Sequence, residues 1–299
     1  MRNKNLTGTG VALITPFHQN NSIDFDSLKN LINHLITNEI DYLVVMGTTG
    51  ESAVLTYDEQ NKIIKYVKKI VNNRLPIIVG LGGNDTMQVV NRIKSFDFNG
   101  IEAILSVCPY YNKPSQSGIF SHYSQLSKVS PVDIILYNVP SRTSVNISVE
   151  TVVSLAEKYQ NIVGIKEASG NIEQCMDLVS SCPDDFMIIS GDDKMTFPIM
   201  LLGGVGVISV QAMAFPSLFS TMIQASLRGD IDLARKCHYE LMKSVDLFYV
   251  NGNPSGIKEA LYQLKICSSN QVRLPLVPMN EEYAAKLNFQ IQNTLSNKN

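Results

Sequence analysis

The 299-residue sequence contains no tryptophan and only four histidines, and His18, His34, His122 and His238 show neither HxxxH nor HxH spacing. Its five cysteines, Cys108, Cys175, Cys182, Cys237 and Cys267, are odd in number and form no CxxC pair. These gaps argue against a zinc site and against a disulfide framework, and the thiols suit a reducing, cytoplasmic setting. The acids Asp192 and Asp193 have no histidine or third carboxylate beside them to complete a metal shell, and are expected to open a helix, where negative charge meets the dipole. Neither a metal nor a cofactor is expected.

Charge is also scarce. The net charge is −2, 17% of residues are charged, and no basic patch is interleaved with aromatics. Nucleic acid and anionic membrane are therefore poor candidates as partners. The first residues, MRNKNLTGTG, lack the apolar core of a signal peptide. One uncharged stretch, Phe197–Leu227, is broken by Pro198, Gly203, Gly204, Gly206, Gln211 and Pro216, which suits a buried helix, strand and helix in succession better than a membrane span. No GxGxxG follows the first strand-like run and no GxxxxGK[ST] occurs, so a nucleotide-binding open sheet is disfavoured.

What the chain has in quantity is alternation. Short runs rich in β-branched residues recur at Gly8–Ile14, Tyr42–Met46, Ile77–Gly80, Ala103–Val107, Asp133–Tyr137, Ile162–Lys166, Met187–Ser190 and Val205–Ser209. Such runs read as strands covered on both faces. Amphipathic helices are predicted between them, among them Phe25–Thr37, Asp58–Val71, Thr86–Phe96, Ser117–Ser127 and Ser148–Tyr159. Eight such units predict an α/β fold, a (β/α)8 or TIM barrel over residues 1–229. Residues 230–299 are predicted to form a C-terminal helical domain, with helices at Asp230–Val250, Pro254–Ile266 and Asn280–Leu295.

In such a barrel the chemistry lies at the C-terminal ends of the strands. Lys166 stands at one of them, after the apolar run Ile162–Ile165 and before a polar turn with Ser169 and Gly170. Loss of hydration there favours the neutral amine, which can attack a ketone and form a Schiff base. A lysine that snorkels to water or pairs with Glu167 is the plainer alternative. The second strand runs into Gly47-Thr48-Thr49-Gly50-Glu51-Ser52, a turn of exposed N–H groups and hydroxyls that suits a small carboxylate. The fourth is followed by Cys108-Pro109-Tyr110-Tyr111-Asn112, whose phenols could pass a proton or simply pack. The fifth ends in Tyr137 and continues to Arg142. Tyr137 is expected at the level of Lys166, one strand over, and Arg142 could hold a second carboxylate or stand free in solvent. Gly191, after the seventh strand, would let a ligand approach the backbone.

Together, GTTGES at Gly47–Ser52, PYYNKPSQSG at Pro109–Gly118, YNVPSRT at Tyr137–Thr143, GIKEASG at Gly164–Gly170 and SGDD at Ser190–Asp193 resemble the dihydrodipicolinate synthase family, the lysine-pathway branch of the pyruvate-dependent class I aldolases. The likeness runs from about Gly8 to Pro278 and takes in NPSGIK at Asn253–Lys258 and RLPLVP at Arg273–Pro278. The resemblance implies a barrel with a C-terminal helical region, assembled as a homotetramer from two tight dimers. It implies pyruvate and L-aspartate 4-semialdehyde as substrates and Lys166 as the Schiff-base residue. It implies a proton relay of Tyr137, Thr48 and Tyr111, the last reaching in from a partner subunit. It gives Thr49 the pyruvate carboxylate and Arg142 that of the semialdehyde, with Gly191 and Ile208 lining the pyruvate pocket.

For an allosteric lysine site, Ser52, Ala53, Asn84 and Tyr110 match the family, but Tyr57, Gln60 and Gln88 stand where strongly regulated members resemble one another in two histidines and a glutamate. Weak or absent inhibition by lysine is the expectation. Ser255 and Gly256 replace the Ile-Pro usual after NP, with a packing consequence expected. Two other readings stay open: a sister aldolase, such as a sialic acid lyase or a keto-deoxy-sugar acid aldolase, and a catalytically silent barrel that only binds pyruvate.

Overall fold

The computed structural model describes residues 3–296. Eight parallel strands close into a barrel in sequence order: β1 Gly8–Ala12, β2 Tyr42–Val45, β3 Ile77–Gly80, β4 Ala103–Val107, β5 Asp133–Asn138, β6 Ile162–Glu167, β7 Met187–Ser190 and β8 Gly206–Ser209. Each falls within a residue or two of the apolar run that predicts it. Closure pairs β1 with β8 and leaves no free edge.

Around the barrel lie α1 Phe25–Thr37, α2 Tyr57–Val71, α3 Thr86–Ser95, α4 Gln116–Val129, the short α5 Pro140–Thr143, α6 Val149–Lys158, α7 Ile172–Ser181, α8 Thr196–Leu201 and α9 Pro216–Leu227. Their starts follow from capping. Asp24, Asp85, Ser115, Ser148 and Asn171 each accept a backbone N–H from the first turn of the helix they precede, and Thr56 forms a reciprocal capping box with Glu59. The uncharged stretch from Phe197 resolves into α8, β8 and α9, and no helix among the described residues is long and apolar enough to cross a membrane.

Two apolar layers result. Ala12, Tyr42, Val44, Ile78, Leu105, Ile135, Tyr137, Val163, Ile189 and Ile208 fill the barrel interior. The outward faces, with Ile134, Leu136, Ile162, Ile165 and Ile188, pack against the helices. After α9 come α10 Ile231–Val245, α11 Ser255–Gln263 and α12 Glu281–Ser296, whose Leu241, Ile257, Leu261, Leu287 and Ile291 join that outer layer. The backbone packs closely at Gly256, where a Cβ would stand 2.3 Å from the Phe248 carbonyl oxygen.

The acids after β7 depart from expectation. The following helix begins at Thr196, and Asp193 is buried among backbone donors. Its Oδ2 accepts from Val210 N at 3.3 Å, Gln211 N at 2.9 Å and the Tyr249 hydroxyl at 2.8 Å, so it fastens the β7 and β8 loops to the C-terminal region. A buried carboxylate needs such donors, and they outweigh the dipole of a short helix.

Candidate active site

The direction of Lys166 depends on a single irregularity. Along β5 the faces alternate strictly, with Ile135 and Tyr137 inward and Ile134 and Leu136 outward. In β6, Val163 points inward and Ile165 outward, so Lys166 is inward only because an extra residue interrupts the alternation. The β5–β6 register records it: Ile134 pairs with Ile162, but Ile135 pairs with Gly164 and Tyr137 with Lys166. Such a bulge re-aims every side chain beyond it. A glycine suits the spot, since a Cβ on Gly164 would lie 2.7 Å from the Met187 carbonyl oxygen.

Lys166 is thus 6% exposed, with Nζ 4.5 Å from the centroid of the Tyr137 ring. Glu167 turns the other way. Its carboxylate accepts from Asn138 Nδ2 and Gln174 Nε2, both at 2.9 Å, and from Ser169 N at 2.7 Å. Lys166 therefore neither snorkels to solvent nor pairs with its neighbour. Gly191 closes the other side, since a Cβ there would meet Lys166 Cγ and Cε at 2.9 Å. Ile208, fully buried on β8, belongs to the same interior layer.

Tyr137 also borders a cleft of about 600 Å³ at the C-terminal rim, together with Thr48, Tyr110, Arg142 and Asn253. The Gly47–Ser52 segment forms a 3-10 turn, Thr48–Gly50, whose leading N–H groups have no acceptor within the turn. Thr49 is buried, and its hydroxyl oxygen accepts from Asn253 Nδ2 at 3.0 Å, which leaves the hydroxyl proton free for an anion. Arg142 sits on α5, exposed beside the cleft. Tyr111, at φ +72°, is 89% exposed and lies outside the cleft lining. Burial pushes the thiols of Cys108 and Cys175 up to about 12, so neither competes as a nucleophile.

Ser52, Ala53 and Tyr110 line the outer part of the cleft with Tyr57, Gln60 and Arg92. Asn84 is on the neighbouring loop, where its carbonyl accepts from Asn112. Arg92 lies over the Tyr57 ring at 4.7 Å and donates to Gln60 Oε1, a placement that sequence reasoning did not anticipate.

Also missed was a charged brace behind the Thr49 turn. Glu51, in the left-handed region at φ +53°, pairs with Lys258 of α11 at 2.5 Å, each side chain 1% exposed. Lys258 further donates to the Gln271 carbonyl at 2.8 Å, and burial pulls its amine down to about 8 against the raising effect of Glu51. Arg273 N donates to the other Glu51 oxygen at 2.9 Å, and its guanidinium holds Glu59 and the Val54 carbonyl. A lysine among the buried positions of α11 is the one available sequence signal, and its partner is too distant along the chain to be inferred.

A closed parallel barrel with an amine aimed inward against a phenol, beneath a rim of hydroxyls and a guanidinium, is a barrel of the kind suited to Schiff-base chemistry. Comparison with known proteins narrows this. The pattern of the dihydrodipicolinate synthetase family matches residues 5–294. A 4-hydroxy-tetrahydrodipicolinate synthase of Flavobacterium psychrophilum is 48% identical over 282 residues, 94% of this chain and 96% of that protein. The crystal structure of dihydrodipicolinate synthase from Aquifex aeolicus superposes with a TM-score of 0.92 at 38% identity, covering 96% of this chain and 98% of that one. The chloride-inhibited enzyme of Acinetobacter baumannii, solved complexed with pyruvate, gives 0.93 at 34% identity, with 97% and 99% covered. The chain belongs to the dihydrodipicolinate synthetase family.

Proposed function

We propose that this enzyme condenses pyruvate with L-aspartate 4-semialdehyde to give 4-hydroxy-tetrahydrodipicolinate, a step toward diaminopimelate and lysine, with Lys166 as the covalent residue. The observation that carries the residue assignment is the inward amine of Lys166 against Tyr137. The amine attacks the pyruvate carbonyl, and the carbinolamine oxygen takes up protons and leaves as water. Loss of a methyl proton turns the iminium into an enamine, which attacks the aldehyde carbon while the aldehyde oxygen is protonated. The semialdehyde's amino group then closes the ring on the imine carbon and releases Lys166.

Each proton transfer needs a group beside the amine that can give or take a proton, the role given to Tyr137 with Thr48 and, from a partner subunit, Tyr111. Thr49 and its N–H hold the pyruvate carboxylate, with Gly191 and Ile208 shaping that pocket. Arg142 holds the semialdehyde carboxylate. Tyr111 is exposed and so available to a partner subunit, and a homotetramer built from dimers is the assembly this reading calls for. Ser52, Ala53, Asn84 and Tyr110 are the vestige of an allosteric lysine site. We read residues 1–229 as the catalytic barrel and 230–299 as a helical domain. Five free thiols fit a cytoplasmic enzyme.

The test is borohydride reduction of the protein with pyruvate, followed by mass spectrometry. A reduced pyruvate adduct on Lys166, absent from Lys166→Ala, supports the reading, and no adduct refutes it. Product formation with aspartate semialdehyde but not N-acetylneuraminate separates this activity from that of a sister aldolase.

A further inference from the structure

We infer that the buried Glu51–Lys258 pair is a positioning device for the pyruvate-binding turn, making the C-terminal region a working part of the site. The inference rests on the assignment of Thr49 to the pyruvate carboxylate.

The turn that carries Thr48 and Thr49 is closed by two backbone bonds, Gly50 N to the Gly47 carbonyl and Glu51 N to the Thr48 carbonyl, both at 3.1 Å. Its 3-10 geometry gives way to a left-handed Glu51, a backbone state that a non-glycine residue keeps only when its surroundings impose it. Thr15 holds the Gly50 carbonyl from β1's side at 2.7 Å, and the groups that hold Thr49 and the Glu51 side chain come from residues 253–273. Asn253 bonds the Thr49 hydroxyl, Lys258 takes one Glu51 oxygen and Arg273 N the other. Phe17 lies under both cations, with Lys258 Nζ at 4.1 Å and the Arg273 guanidinium carbon at 4.5 Å from its ring centroid. The Gln271 carbonyl takes a further Lys258 proton. Glu51 is thus pinned in direction as well as in place.

Burying both charges costs hydration that their attraction barely returns, so stability alone is a weak reason for such a pair. Specificity of geometry is a better one. A carboxylate site made of one hydroxyl and turn N–H groups tolerates little displacement. Arg142 stands on α5, outside this brace, so the semialdehyde end should not sense it.

The experiment compares wild type with Glu51→Gln, Lys258→Met and the charge-free pair Glu51→Gln/Lys258→Met. It measures half-saturating pyruvate for borohydride-trapped adduct on Lys166, steady-state KM for each substrate, and melting temperature. Lys258→Met strands a buried carboxylate and could fail to fold, so the charge-free pair, which buries no ion, decides. We expect half-saturating pyruvate to rise about tenfold in the pair, with the KM for semialdehyde within threefold of wild type and a cooperative melt. A folded pair with unchanged pyruvate dependence overturns the positioning role, as does an equal loss for both substrates. Failure of the wild type to form any adduct would instead overturn the assignment of Lys166.

Discussion

Tyr137 and Lys166 are register partners on adjacent strands, and the lysine amine rests over the phenol ring, 4.5 Å from its centroid. Two reactive groups from strands separated by α5 and α6 thereby share one space. The pairing depends on the extra residue in β6, since uninterrupted alternation from Val163 would set Ile165 opposite Tyr137 and send Lys166 outward.

Gly164 should accordingly be intolerant of substitution. In Gly164→Val the new side chain meets the Met187 carbonyl. We expect a loss of about 1–3 kcal/mol in stability, read by urea unfolding. Pyruvate adduct formation should also slow by about a hundredfold, well beyond what the unfolded fraction explains.

Gly191→Ala presses on the lysine stem itself, with its Cβ within 2.9 Å of Lys166 Cγ and Cε. We expect kcat/KM for pyruvate to fall by about a hundredfold, because an amine displaced by an ångström misses the carbonyl trajectory. A fall of less than threefold would show that the stem is free to move aside.

Tyr137→Phe keeps the ring against Lys166 and removes the proton carrier. Loss of a positioned acid–base group predicts a drop in kcat of about 10² to 10³. The melting temperature should hold within a few degrees. Undiminished kcat would remove the phenol from the relay.

Lysine should inhibit weakly. Among the described residues lining the cleft, Glu51 is the acid, and it is committed to Lys258, while the guanidinium of Arg92 faces Tyr57 and Gln60. An ammonium entering there meets like charge and no carboxylate. Half-inhibition at sub-millimolar lysine would contradict this.

Acid should weaken the link between α2 and the C-terminal region. Hydrogen bonding and charge from Arg273 hold Glu59 at about 2, below its ordinary 4.5. A depressed carboxylate stabilises the fold above pH 4.5, and that contribution is lost as pH falls toward 2. The pair is partly exposed, so screening limits it to about 1 kcal/mol. Glu59→Gln should be less stable than wild type by that amount at neutral pH and equal to it near pH 2, in parallel denaturant titrations.

The sequence by itself determined the repeating strand and helix, the order of the strands and the motifs at their C-terminal ends. These follow from local causes: β-branched runs, helical spacing and capping residues act within a few positions. Lys166, Tyr137 and Gly191 stand out as candidates in the sequence because each ends or follows a recognisable strand, whereas Ile208 is named only through the family resemblance. The tertiary structure decided which way those side chains face. A single inserted residue reverses a two-residue period without altering composition, so the inward turn of Lys166 is visible only in the β5–β6 register. It also decided what lies behind the site. Glu51, Lys258 and Arg273 stand along the chain in three separate motifs, GTTGES, NPSGIK and RLPLVP, with nothing to pair them, and Asp193 reads as a helix start. Only closure of the barrel and docking of α11 bring them together, because burial of a charge is set by neighbours remote in sequence.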